Sequence, residues 1–260
     1  MRLARNLDLE TAFMDGIREA MSEPREGLHR SSLFPCARAG KAREVLNMKL
    51  DDDEVLFFAQ GRAVHAFVVG HRFVPLERPL TLDGVIDTPD GWTSLTETVN
   101  VNGKPVPVEF KSTRLSSRDF PDKVNQPLPR YKGALGDYLW QLLDHCLFAG
   151  TETGVLAVLF FMGDYGAKRK WCPKCKARVS FMECKACGWK GRRIDFRAYD
   201  VTFDEASELA PRRPEVLLRR DQYLSTDDPM AVPPTPCWQC ESCKPGKAIK
   251  CPWFGKKVAA

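Results

Sequence analysis

Apolar residues along the chain follow two spacings, one typical of helices and one typical of strands. Near the N-terminus they recur every three or four residues, at Leu9, Phe13, Ile17 and Met21, which predicts an amphipathic helix that Asp8 caps. The same reasoning predicts three further helices and four strands. The helices are expected at 38–46, 57–69 and 134–149, and the strands at 79–87, 106–111, 154–162 and 194–203.

The order of these elements indicates the fold class. Helices come first, followed by a strand meander, a helix, further strands and a cysteine-rich tail. This order predicts an α/β fold in which a mixed central sheet is flanked by helices. After the last strand, Asp204 is expected to cap a helix, and Pro211 and Pro214 are expected to interrupt the chain beyond it. Three regions are predicted: a core at 1–165, an insert at a hairpin tip at 166–193, and the end of the core with the cysteine-rich tail at 194–260.

The composition is that of an ordinary globular protein, with 43% hydrophobic and 28% charged residues among 260. The most apolar run, 154–162, has the length of a strand and is well short of the roughly 20 residues that a membrane-spanning helix needs. The N-terminal sequence becomes acidic where a signal peptide requires an apolar stretch. We therefore expect a cytoplasmic protein with no membrane partner.

Ten cysteines in that compartment need an explanation other than disulfide bonds, because its thiols stay reduced. Four lie between Cys172 and Cys187 and four between Cys237 and Cys251, while two stand apart. Clusters of this kind indicate metal sites. Cys146 falls instead on the apolar face of a predicted helix, where a core position is expected.

The first cluster has the spacing of a zinc ribbon. Two CxxC pairs, Cys172 with Cys175 and Cys184 with Cys187, are separated by eight residues. Two such pairs that face one another make a tetrahedral thiolate site for zinc. A structural zinc ion would fold a segment that is too small to have a core of its own.

The basic charge of the chain is concentrated around this cluster. Residues 166–193 carry ten Lys or Arg and one acid, a balance of +9, although the whole chain has a net charge of only +5. Phosphates are the expected counter-surface for such a concentration of charge, which predicts a nucleic-acid contact. A solvated hairpin and a contact with a protein partner are the alternatives. The predicted contact residues are Lys168, Arg169, Lys170, Arg192 and Arg193.

A carboxylate and a lysine share one face of a predicted strand. Glu109 and Lys111 are two residues apart, so both side chains leave the same side of the sheet, and Asp87 ends an earlier strand. Hydrolysis of a phosphodiester needs a hard cation held by carboxylate oxygens, an activated water and positive charge near the phosphate. Asp87 and Glu109 would supply ligands, and Lys111 would orient the water or stabilise the developing charge. Glu-x-Lys by itself is also a common surface salt bridge.

In its context this arrangement resembles the PD-(D/E)XK nucleases of the RecB-like branch, where an aspartate ends one strand and (D/E)xK lies on the next. Residues 61–65 resemble the GxxxH segment of that branch, whose histidine binds metal. Gln141 matches the start of its QxxxY motif, which helps to position nucleic acid, and His145 stands in place of the tyrosine. The resemblance covers about 31–253, apart from the insert. It implies catalytic roles for Asp87, Glu109, Lys111 and Gln141 and a magnesium or manganese site at His65, Asp87, Glu109 and Phe110.

The segment 32–38 resembles the SxxxCxR opening of the iron–sulfur members of that branch. Read alone, the second cysteine cluster is also compatible with zinc. The resemblance instead implies a [4Fe–4S] cluster with a structural role, held by one cysteine before the nuclease core and three after it. The implied ligands are Cys36, Cys240, Cys243 and Cys251, which would tie the two chain ends together. Cys237 is then not needed as a ligand of the cluster. Ligation by Cys237 in place of Cys36 is an open alternative.

The combination resembles the CRISPR-associated RecB-type exonucleases, the fourth family of CRISPR-associated proteins, and their phage-borne relatives. The resemblance implies magnesium- or manganese-dependent digestion of single-stranded DNA from its ends, in spacer-precursor processing alongside the CRISPR integrase complex. A phage recombination or DNA-degradation nuclease of the same fold is one alternative. A non-catalytic nucleic-acid-binding or assembly module is another, against which the complete Asp87, Glu109 and Lys111 set argues. The zinc-ribbon insert is not part of the family pattern.

Overall fold

The computed structural model describes most of the chain, and its residues fall into two compact units. The first unit comprises Met1–Ala66, Pro79–Asp87 and Ala210–Ala260, and the second comprises Phe67–Arg78 and Thr88–Leu209. The predicted insert at 166–193 lies wholly within the second unit. The described residues are 15–17, 19, 26–49, 51–72, 79–93, 105–117, 120, 133–161, 171–172, 174–177, 184–189, 194–235, 240 and 243–256.

The first unit combines a small mixed sheet with helices. Its elements are β1 (Leu28–His29), α1 (Arg30–Leu33), α2 (Ala37–Val45), most of α3 (Asp52–Arg72), β2 (Leu80–Leu82), β3 (Val85–Asp87), α5 (Ala210–Leu224) and α6 (Lys244–Ala248). Strand β1 pairs parallel with β3, and β2 pairs antiparallel with β3. Helix α2 packs against α5 and α6, and α1 packs against α2 and α5.

The second unit is built on a four-stranded mixed sheet. Its strands are β4 (Gly91–Trp92), β5 (Pro107–Thr113), β6 (Thr153–Phe160) and β7 (Asp195–Thr202), which lie side by side in that order. Strands β5 and β6 are parallel, and helix α4 (Gly133–Ala149) connects them and packs on both. Apolar side chains of α4 and β6 meet in the core, where Cys146 is fully buried, as predicted.

The predicted insert joins two paired strands. Strands β6 and β7 are antiparallel, and Phe160 at the end of β6 faces Asp195 at the start of β7. The chain between them therefore leaves and re-enters the sheet at the same end, as expected for an insert at a hairpin tip, and the bounds 166–193 stay a prediction.

Two expectations about local structure are wrong. The predicted strand at 79–87 is a hairpin of β2 and β3, because Asp83 and Gly84 both adopt positive φ, 49° and 83°, in a tight two-residue turn. The region after Asp204 is also not interrupted. Asp204 caps a π-helical turn at Glu205–Leu209 through the main-chain N–H of Ser207, and α5 then continues through Pro214.

Pro211 and Pro214 are the second and fifth residues of α5, which follows directly on the π-helical turn, so this helical stretch accommodates two residues that lack a main-chain N–H. The other helix predictions agree with the structure to within a few residues, except that 57–69 lies inside the longer α3. Of the predicted N-terminal helix, residues 15–17 and 19 are described and helical, and the remainder lies outside the described residues. Among the described residues, no helix is both long and apolar enough to cross a membrane.

Candidate active site and metal centres

Glu109 and Lys111 lie on β5, one of the two inner strands of the sheet in the second unit. Their side chains leave the same face, as the spacing predicts, and Lys111 Nζ forms an ion pair with Glu109 Oε1. The Glu109 side chain is 0% exposed and that of Lys111 is 25% exposed. Burial of the carboxylate rules out the alternative of an ordinary surface salt bridge.

Helix α4 covers this carboxylate and contributes a second partner. His145 Nε2 lies 2.6 Å from Glu109 Oε2, and the His145 side chain is 1% exposed. Two turns earlier on α4, the Tyr138 ring centroid lies 5.8 Å from Lys111 Nζ. Gln141 is half-buried on the same helix, one turn before His145.

Asp90 is a further acid of this site, although its sequence context indicates only a turn. Its Oδ2 accepts a hydrogen bond from the main-chain N–H of Phe110 at 2.8 Å, and its charge acts on Lys111. Phe110 is itself buried and has only its main-chain carbonyl oxygen to offer a metal ion. The sequence Pro-Asp-Gly at 89–91 predicts a turn that contains Asp90. It does not predict the hydrogen bond that Asp90 accepts from Phe110, twenty residues later.

The electrostatic balance keeps the Glu109–Lys111 pair ionised. Burial raises the pKa of Glu109, but the positive charge of Lys111 and the hydrogen bond from His145 outweigh it, so this pKa lies below its ordinary value. Burial lowers the pKa of Lys111, but the charges of Glu109 and Asp90 outweigh it in turn and raise this pKa. The site therefore presents a buried carboxylate beside an ammonium group, a combination suited to holding a hard cation near a phosphate.

Two other predicted ligands belong to the first unit. Asp87 is buried at the end of β3, where it pairs with Leu80 of β2. His65 lies on α3, and its side chain is outside the part of the chain that the structure describes. Glu109 and Lys111 belong to the second unit, so a metal site that combines all of these residues stays a prediction.

The first cysteine cluster is assembled as the zinc-ribbon spacing predicts. The Sγ atoms of Cys172, Cys175, Cys184 and Cys187 all lie within 4.8 Å of one another. Cys172 Sγ is 3.6 Å from Cys187 Sγ, and Cys175 Sγ is 3.5 Å from Cys184 Sγ. Thiolates bound tetrahedrally at about 2.3 Å from a zinc ion would be roughly 3.8 Å apart, so these four cysteines can hold a single metal ion.

Each CxxC pair is held by the same main-chain turn. Cys172 N–H donates to Ala177 O at 2.7 Å, and Cys184 N–H donates to Trp189 O, also at 2.7 Å. The residue after each pair, Lys176 or Gly188, has positive φ. The two knuckles therefore have matching backbones, although only one has a glycine at the left-handed position.

Main-chain N–H groups of these turns also affect the pKa values of two cysteines. Burial opposes ionisation of Cys172, but N–H groups of Cys175 and Lys174 and the neighbouring thiols outweigh it and lower its pKa to about 6. The Trp189 N–H favours the Cys187 thiolate, but burial and the neighbouring thiols raise the pKa of Cys187 to about 12. The metal-free site thus favours the thiolate form at Cys172 over that at Cys187.

The second cysteine group lies in the first unit and includes the distant Cys36. Burial raises the pKa of Cys243, and the charges of Cys36, Cys240 and Cys251 raise it further. Cys243 Sγ also accepts a hydrogen bond from the main-chain N–H of Gly246 at 3.2 Å, which opposes this rise. Among the described residues, the first group is the one whose sulfur atoms all lie within 4.8 Å of one another. Cys237, the spare cysteine of the prediction, lies outside the described residues.

A buried arginine borders this second group. Arg38 Nη1 lies 3.8 Å from Cys251 Sγ, while its other nitrogens donate to Val232 O at 2.7 Å and Met230 O at 3.0 Å. The guanidinium group of Arg38 is therefore held by two main-chain carbonyl oxygens with one of its nitrogens beside the Cys251 sulfur.

The predicted nucleic-acid contact is described only in part. Its five named residues, at 168–170 and 192–193, lie outside the described residues. The described part of the hairpin exposes Lys174, Lys176 and Lys185, and Trp171 is 61% exposed.

Comparisons with known proteins do not supply a family. No protein-family model matches the chain, and no curated protein matches it. A solved structure titled "Crystal structure of SSO0001" is similar, with 14% sequence identity, a TM-score of 0.49, and coverage of 95% of this chain and 97% of that one. At that distance the similarity identifies neither the fold family nor the function.

Proposed function

We propose that this protein is a magnesium- or manganese-dependent nuclease of the PD-(D/E)XK type that digests single-stranded DNA from its ends. The observation that carries the proposal is the Glu109–Lys111 pair, a fully buried carboxylate beside a partly exposed ammonium group on an inner strand. Taking charges out of water costs free energy that a purely structural scaffold has no need to expend. This cost favours an enzyme over a non-catalytic module of the same fold.

Each residue has a role that agrees with its chemistry. Glu109 and Asp87 would hold the divalent cation through carboxylate oxygens, with Phe110 adding a main-chain carbonyl oxygen and His65 an imidazole. When bound, the cation would supply Lewis acidity and an activated water. Lys111 would direct its ammonium group at the water and the scissile phosphate, and Gln141 would help to position the nucleic acid.

The two cysteine groups suit different structural metals. For the compact group we propose zinc, because its sulfur spacing fits a single tetrahedral ion. For Cys36, Cys240, Cys243 and Cys251 we propose a [4Fe–4S] cluster, because their order along the chain resembles that of the iron–sulfur nucleases and all four belong to the first unit. Neither site is assigned a redox reaction.

We further propose that the basic hairpin contacts the DNA. Its exposed lysines and Trp171 offer phosphate contacts and a surface on which a base can stack. Processing of spacer precursors with the CRISPR integrase complex is the setting we propose for the activity. A phage recombination or DNA-degradation role would use the same chemistry.

A comparison of linear and circular substrates tests the proposed activity. Purified protein should release nucleotides from linear single-stranded DNA when Mn²⁺ or Mg²⁺ is present and should leave covalently closed single-stranded circles intact. Both substrates should stay intact in a chelator. Cleavage of the circles at the same rate would replace the exonuclease with an endonuclease, and no cleavage of either substrate under any metal condition would overturn the proposed function.

A further inference from the structure

His145 differs from the tyrosine of the QxxxY pattern, and it occupies a distinctive place in the second unit. Its imidazole is 1% exposed, and Nε2 is 2.6 Å from Oε2 of the fully buried Glu109. Because water does not reach either group, solvent does not compete for this hydrogen bond. The hydrogen bond therefore strongly constrains the orientation of the carboxylate.

The two oxygens of Glu109 are divided between two partners. Oε2 faces His145, whereas Oε1 faces Lys111. A partial rotation of the carboxylate would weaken both interactions, and a half-turn would only exchange two equivalent oxygens. The orientation of the carboxylate is therefore set by residues on two elements, α4 and β5.

We propose that His145 is a positioning residue that fixes Oε2 of Glu109 through an N–H donated by Nε2, so that Oε1 is the oxygen presented to the divalent cation. The inference rests on the proposed function, because it concerns the ligand that this function assigns to Glu109. The donor role needs a hydrogen on Nε2 and therefore does not depend on whether the ring is neutral or charged. Partners that orient a metal ligand in this way commonly contribute to metal affinity.

Two amide substitutions separate positioning from simple packing. In His145→Gln the side-chain amide can reach the place of Nε2, whereas in His145→Asn it reaches only the place of Nδ1. Both residues are neutral, polar and smaller than histidine, so they differ chiefly in reach toward Glu109. Leu139→Val provides a packing control, because Leu139 is a fully buried residue of the same helix within the apolar core.

The measurement is Mn²⁺ binding to the full chain by titration calorimetry, with digestion rates recorded over a range of Mn²⁺ concentrations. His145→Asn should weaken Mn²⁺ binding about tenfold or more, His145→Gln should stay within about twofold of the wild type, and Leu139→Val should bind Mn²⁺ normally. The rate at saturating Mn²⁺ should change less than the Mn²⁺ concentration for half-maximal rate.

Equal Mn²⁺ affinity in wild type and a folded His145→Asn protein would overturn the inference. Equal weakening of Mn²⁺ binding in the Asn and Gln variants would overturn it as well, provided that both variants show the circular dichroism of the native protein. If the Asn variant is unstable, a folded Gln variant that binds Mn²⁺ tenfold more weakly than the wild type would also overturn it. Wild-type protein that binds Mn²⁺ but digests no DNA would overturn the proposed function alone. Wild-type protein that binds no Mn²⁺ would overturn both.

Discussion

At the scale of single residues, the geometry of the site depends on how closely α4 approaches β6. Gly154 lies at that approach, where an added Cβ would be 2.7 Å from Leu142 Cδ1 and 2.8 Å from Cys146 Sγ. Both neighbours are fully buried core side chains. The absence of a side chain at Gly154 therefore allows α4 to lie on the sheet and to carry His145 to Glu109.

Gly154→Ala should accordingly destabilise the protein by about 1–3 kcal/mol through overpacking. Urea unfolding followed by circular dichroism measures this difference. Gly61→Ala is the matched control, because a Cβ at that helical position meets no atom within 4 Å, and helix propensity predicts a neutral or slightly stabilising effect of up to about 1 kcal/mol. An unchanged unfolding midpoint in Gly154→Ala would show that α4 does not need this close approach.

Some residue contacts of the site can be predicted from the sequence and others cannot. The common face of Glu109 and Lys111 is a consequence of strand periodicity alone. Their burial, the contact of His145 with Glu109 and the hydrogen bond from Phe110 to Asp90 are not, because these interactions join residues 36 and 20 positions apart in the chain. The pattern of residues near Glu109 and Phe110 does not indicate which distant side chain will form a hydrogen bond with either of them.

At the scale of elements, the described part of the cysteine hairpin has a packing cluster of its own. Among its described residues, Cys172 and Cys184 are buried and pack with Trp189, apart from the apolar core formed by α4, β6 and β7. We expect the proposed zinc ion to supply most of the stability of this segment, because a short hairpin has little apolar surface to offset its conformational entropy.

Removal of zinc should therefore unfold the hairpin and leave the sheet folded. We expect a strong chelator to change the fluorescence of Trp189, with no loss of the main thermal transition, and a Trp189→Phe variant identifies that signal. Lowering the pH should release zinc, because protons compete for thiols whose first ionisation in the free site has a pKa of about 6 at Cys172. Collapse of the whole fold on zinc removal would contradict this division.

The elements that can be predicted from sequence are those whose pattern matches their final environment. Helix α4 and strands β6 and β7 agree with their predicted bounds to within one or two residues, because α4 buries a helical stripe of apolar side chains and β6 is a continuous apolar run of strand length. The β2–β3 hairpin has a sequence signal, because Asp83-Gly84 is a typical two-residue hairpin turn, and treating 79–87 as one apolar run hides it. The continuation of α5 through Pro214 is not predictable from the sequence, because proline usually breaks a helix.

At the scale of the whole molecule, the two cysteine groups belong to different units. Cys36 and the C-terminal cysteines lie in the first unit, and the zinc-ribbon cysteines lie in the second. The family resemblance selects Cys36, far from the other three along the chain, and the structure brings this cysteine into the electrostatic neighbourhood of Cys243. The spacing of the cysteines alone does not select Cys36 as a ligand, because the fold determines whether a residue so far along the chain approaches the C-terminal cysteines.

We predict that the protein purified without oxygen is brown and contains about four iron atoms and one zinc ion per chain. Metal analysis and visible absorbance measure this composition. Cys36→Ala should lose the iron and the colour while retaining zinc, whereas Cys146→Ala, which changes an apolar core position, should retain both. A colourless preparation that contains two zinc ions and no iron would contradict the cluster assignment.

We propose that Glu109, Lys111 and Asp87 make this protein a metal-dependent nuclease. The rate at which the protein degrades end-labelled single-stranded DNA in Mn²⁺ tests this directly, when it is compared with the rates of folded Lys111→Ala and Asp87→Ala variants at equal concentration. We expect digestion by the wild type only when the metal is present, and a loss of roughly a hundredfold or more in each variant. Equal rates in wild type and either variant, or digestion that persists in a chelator, would contradict the proposed function.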